Sequence, residues 1–205
     1  MRGRRVLRLL SELHFFCLLM TFGVLCGWEW LAAALLAAVV HEGGHLLTLR
    51  LFGAGRGRLR VDGAGLNWER RGKVLGYGAE LLTILAGPAA NVLAALLLAH
   101  IAAASNWQGG YFFAGTQLVL GGFNLLPVLP LDGAQALETF LSWLIEPVTA
   151  WRITAAVSLL TLGMLLASSL WFLALTGTGF LLMGALGLLV LCLQEMGLVK
   201  RVGKE

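Results

Sequence analysis

The residues with chemistry to offer are His41-Glu42-Gly43-Gly44-His45, set in a run otherwise made of Leu, Ala and Val. On a helix, residues four apart share a face, so His41 and His45 can bind one ion together. Glu42, directly after the first histidine, sits within reach of a water on that ion. This is the ligand-and-base arrangement for zinc-assisted hydrolysis, with Glu42 as the catalytic base. A charged group at mid-bilayer costs about 2.5 to 3.5 kcal/mol on insertion scales, and such groups normally face a cavity, a partner or a metal. A metal site offsets that cost, so the pattern points to hydrolysis inside the bilayer.

The rest of the composition supports the lipid setting. Of the 205 residues, 59% are apolar and 13% charged, and the mean hydropathy is +0.84. These values exclude an ordinary soluble domain and predict an integral membrane protein. The three cysteines, Cys17, Cys26 and Cys192, lie in apolar segments without paired spacing, which indicates packing residues rather than disulfides or a thiolate metal site. The net charge of +4 reads as membrane topology, and no nucleic-acid partner is expected.

The elements that must position the site are an all-α, polytopic membrane bundle. A hydrocarbon core of roughly 30 Å needs about 20 apolar residues per crossing. Six spans are expected, near 13–27, 31–52, 81–104, 111–145, 153–175 and 179–197, forming one membrane-embedded domain over 1–205. The N-terminal arginines and first apolar run resemble a signal peptide, but no polar cleavage region follows. Trp28-Glu29-Trp30 reads instead as an interfacial turn between the first two spans. Pro127, Pro130 and Asp132-Gly133 break the fourth span near 127–133, because proline removes a donor from the helical ladder. Between the second and third spans, Arg58 to Val61 and Leu66 to Glu69 alternate around Asp62-Gly63-Ala64-Gly65. That segment reads equally as a small β-hairpin or as a plain basic loop. Threading six spans puts all fifteen basic residues on one side, so both termini are expected in the cytoplasm of a multi-pass cell-membrane protein.

Zinc needs a third protein ligand and an open position. Asp132, at the break of the fourth span and at a depth similar to His41, is the best source. Its alternative role is a helix N-cap, since helix formers follow it.

With these residues on the page, the chain resembles the site-2 proteases, intramembrane zinc metalloproteases of the M50 type. The match is carried by His41 to His45, by Gly87-Pro88-Ala89-Ala90-Asn91 in the third span, and by Asn124-Leu125-Leu126-Pro127 with Pro130-Leu131-Asp132-Gly133. The last form and the six-span layout look most like the SpoIVFB-like branch, which processes a sporulation sigma-factor precursor. The resemblance implies His41, His45 and Asp132 as ligands of one Zn2+ and Glu42 as acid/base. It implies Asn124 near substrate backbone or the developing oxyanion, with Gly87, Pro88 and Asn91 shaping and packing the third span. Expected partners are lipid, membrane-embedded or membrane-tethered substrates, and regulatory membrane proteins. The sporulation relatives usually carry a nucleotide-sensing CBS domain and the envelope-stress relatives PDZ domains. Neither is expected here, so a sporulation role stays open. Two other classes compete: a divalent-cation transporter using the same polar residues, and a catalytically inactive membrane scaffold.

Overall fold

A computed structural model describes residues 27–54, 57–62, 65–70 and 74–202. The expected first span, 13–27, lies almost wholly outside the described residues. In chain order the elements are α1 (Trp28–Leu51), β1 (Gly57–Asp62), β2 (Gly65–Arg70), α2 (Tyr77–Ser105), α3 (Gln108–Asn124), α4 (Asp132–Leu144), α5 (Pro147–Thr176) and α6 (Phe180–Val202). Three of them, α1, α2 and α5, are long and apolar enough to cross a membrane. The chain forms two compact units, Met1–Gly122 and Phe123–Glu205.

In the first unit, α1 packs on α2 through small residues. Ala33, Ala37 and His41 recur every fourth position and are buried, as are Thr83, Gly87, Asn91 and Ala95 on α2. Meanwhile Val39, Leu51, Leu93 and Leu96 are more than 60% exposed. Polar side chains inside and leucines outside is the distribution expected where hydrocarbon is the solvent and helices associate by close packing. At Gly44 an added Cβ would overlap the carbonyl oxygen of Ala86 and come within 2.9 Å of Ala90 Cβ, so the two helices meet at the backbone there. One difference from the sequence reading lies at the start of α1. Trp28, Glu29 and Trp30 form its first turn rather than a separate loop. Gly27, whose φ is 99°, is the N-cap, and Glu29 then sits where a helix N-terminus favours negative charge. Trp30 packs edge-on against Phe112, with ring centroids 4.5 Å apart.

β1 and β2 pair antiparallel, with Leu59 opposite Trp68, Val61 opposite Leu66, and Asp62 opposite Gly65. They make a two-stranded sheet, so each strand keeps one edge without a neighbouring strand among the described residues.

The second unit is built on the broken segment. α3 ends at Asn124 and α4 starts at Asp132, so the break begins a few residues before the position expected from the prolines. Irregular backbone at membrane depth is tolerated only where it is buried in protein or lines a cavity. Here Val128 and Leu129 are buried in one cluster with Ala134, Leu162, Leu188 and Cys192. The backbone polar groups are satisfied locally: Leu126 N–H donates to Phe123 O at 3.1 Å and Leu131 N–H to Val128 O at 2.8 Å. Leu129 N–H donates to Ser158 Oγ on α5 at 3.2 Å, and that hydroxyl donates in turn to Thr154 O at 2.8 Å. α5 itself starts with Pro147 at its first turn, where the missing N–H is harmless, and ends on Gly177 with φ 69°.

Candidate metal centre

Two histidines one turn apart on α1 become a ligand pair only if their rings are turned the same way. The first unit does this with hydrogen bonds to α2. His45 Nδ1–H donates to the carbonyl oxygen of Thr83 at 2.8 Å. A carbonyl can only accept, so this nitrogen carries a proton, and in the neutral ring the lone pair is on Nε2.

His41, 5% exposed, is held in the same way by Asn91, which is fully buried. Amide oxygen and nitrogen are told apart by their partners. Asn91 Nδ2 donates to Ala37 O at 3.0 Å, again an acceptor only, and to Gln117 Oε1. Oδ1 therefore faces the ring, and His41 Nδ1–H donates to it at 2.7 Å. In the neutral ring the lone pair of His41 is likewise on Nε2.

The two Nε2 atoms stand 3.2 Å apart. At that distance one Nε2–H can donate to the other, and two neutral rings can equally direct both lone pairs at one cation. Two nitrogens bound to one tetrahedral ion at about 2.0–2.1 Å would be about 3.3–3.4 Å apart. The spacing therefore fits a shared divalent ion. Room for the rings comes from Gly87 on α2, where a Cβ would overlap His45 Nε2 and approach His41 Cε1 to 2.9 Å. Glu42 lies beside His41 on the same helix and is half-buried.

In the second unit, Asp132 is half-buried and opens α4 as a helical residue. The N-cap position of α4 is Leu131, one residue before Asp132, which is the acidic residue of the first turn. Asn124 is the last residue of α3, also half-buried. Pro88 lies inside α2 and is buried.

The sequence reading gave Asn91 a packing role; its bond to the His41 ring is additional. Gln117 was missed altogether. A signal existed, since a lone amide within the apolar fourth span is the kind of polar residue that membrane burial makes expensive. The acceptor carbonyls of Thr83 and Ala37 had no sequence signal.

The chain matches no family model and no curated protein. Among solved structures, it is similar in fold to the Site-2 Protease from Methanocaldococcus jannaschii, with a TM-score of 0.67 and 19% identity, over 91% of this chain and 88% of that one.

Proposed function

We propose that this chain is an intramembrane zinc metalloprotease that hydrolyses peptide bonds in membrane-embedded or membrane-tethered substrates. The observation that carries the reading is the pair of Nε2 atoms 3.2 Å apart on one helix with a glutamate alongside. The fold likeness to a site-2 protease supports it. So does the sequence, which offers the carboxylate of Asp132 as the third donor such an ion needs. Two imidazoles and one carboxylate favour zinc among divalent ions.

In this reading His41, His45 and Asp132 hold the ion. When bound, it supplies Lewis-acid polarisation of the scissile carbonyl and acidification of water. Glu42 removes the proton from the attacking water and returns it to the leaving amine. Asn124 donates to substrate backbone or to the developing oxyanion. A helical substrate must be unwound before attack, and the edge of the β1–β2 hairpin takes it up as an added strand. Replacing Leu59 and Val61 together by proline then abolishes cleavage with metal content unchanged; unimpaired cleavage would remove the edge from the mechanism. The domain spans the membrane six times with both termini in the cytoplasm, and regulatory membrane proteins act on it. The finer assignment to the sporulation branch rests on the Asn124 to Gly133 form and the six-span layout.

The test is co-expression of wild type and Glu42→Gln with single-span or membrane-tethered substrates, with metal analysis of both proteins. Loss of cleavage with full metal content supports a protease. Metal flux into liposomes, insensitive to Glu42→Gln, would support the transporter instead.

A further inference from the structure

The proton on Asn91 that points at α3 carries information beyond the ligand set. Gln117 lies mid-way along α3 and is 1% exposed, an uncharged amide buried where nothing in the proposed chemistry uses it. Gly110, Ala114, Gln117 and Gly121 are the buried residues of α3, spaced four, three and four apart on one face. That face lies close over Asn91, since a Cβ added at Gly121 would be 3.0 Å from Asn91 Cβ.

We infer that Gln117 is a positioning residue for the metal site, acting through Asn91 on the ring of His41. Resting on the metalloprotease reading, it extends the site to a third helix.

The argument follows the hydrogens. Asn91 Nδ2 has two, one donated to Ala37 O and one to Gln117 Oε1. With both engaged, the amide plane is fixed at both donors and its oxygen is held against His41 Nδ1. If Gln117 offered no oxygen, one hydrogen would be buried without an acceptor, and a twist of the amide to satisfy it would carry Oδ1 off the ring. The His41 ring would then lose its hold at Nδ1, and its Nε2 would shift from the position shared with His45 Nε2. His45 has no such dependence, because a helix carbonyl orients it. The pair therefore has one ligand set by rigid backbone and one set by a side-chain relay, and the relay is where the site can be weakened without touching a ligand.

The experiment uses detergent-purified, metal-free full-length protein and Co2+ as the probe, followed by its d–d absorption and by competition with a chelator. Gln117→Met, similar in volume but without an acceptor, is expected to weaken Co2+ binding about tenfold, within the range seen when ligand-orienting groups are removed. Gln117→Glu keeps an oxygen for Asn91 Nδ2 and is expected to stay close to wild type. In an Asn91→Leu background, Gln117→Met is expected to add nothing, since both changes break one chain of contacts. Equal Co2+ affinity in wild type and Gln117→Met overturns the relay and leaves the metal reading standing. So do an equal loss in Gln117→Met and Gln117→Glu, and additivity with Asn91→Leu. Failure of wild-type protein to take up Co2+ overturns the metal reading itself, and the relay with it.

Discussion

The two units place their candidate site residues by different means. In the first, the backbone is regular: His41 and His45 ride on an uninterrupted helix, and hydrogen bonds from their rings to α2 aim them, one to an amide side chain and one to a helix carbonyl. In the second, the backbone is interrupted, and Asp132 is delivered by the restart of a helix after a stretch whose N–H groups are tied down one by one. A helix fixes spacing cheaply but leaves each ring about its own torsions. A break fixes direction, but every peptide group freed from the ladder must find a partner or be covered. The first unit therefore keeps its precision in hydrogen bonds made by its rings, and the second in those made by its main chain.

Four substitutions test that contrast, in descending order of effect. Glu42→Gln should lower cleavage by about 10²- to 10⁴-fold, the range for a lost general acid/base, with metal content unchanged. Metal loss in that variant would make Glu42 a ligand and erase the distinction between aiming and reacting groups. Gly87→Ala puts a methyl into the space of the His45 ring and should weaken metal binding by about 100-fold, read by chelator competition. Full affinity would mean that the rings do not need α2 as their wall. Asn91→Leu should cost about tenfold in metal affinity, with the apo protein still folded by circular dichroism. Ser158→Ala removes the acceptor for Leu129 N–H and should lower stability by about 1 kcal/mol, seen as a small drop in thermal midpoint with metal affinity preserved. A large loss of metal from Ser158→Ala would show that the break is aimed by one hydroxyl, as His41 is aimed by one amide side chain.

How much of this could be read from the sequence follows the range of the interactions. The His41-Glu42…His45 register is local, and helical geometry alone puts the pair on one face. The break before Asp132 is also written in neighbouring residues, as proline, whereas the alternation between Arg58 and Glu69 left a hairpin and a plain loop equally open. The start of α1 was displaced because tryptophans at a membrane interface are as compatible with a first helical turn as with a loop, and Gly27 decides between them. Asp132 as cap or as ligand could not be separated by sequence, since both roles call for the same residue before the same helix formers. The relay was out of reach for a different reason: Asn91 is 50 positions from His41 and 26 from Gln117, so its three partners exist only once α1, α2 and α3 are packed.

Gly87 has one more consequence. With no side chain at Gly87, no compressible layer separates the two imidazoles from α2 at that point. A shift of α2 along α1 by the width of a methyl group would bring it against the rings, so the spacing of the two helices there is set by a missing atom.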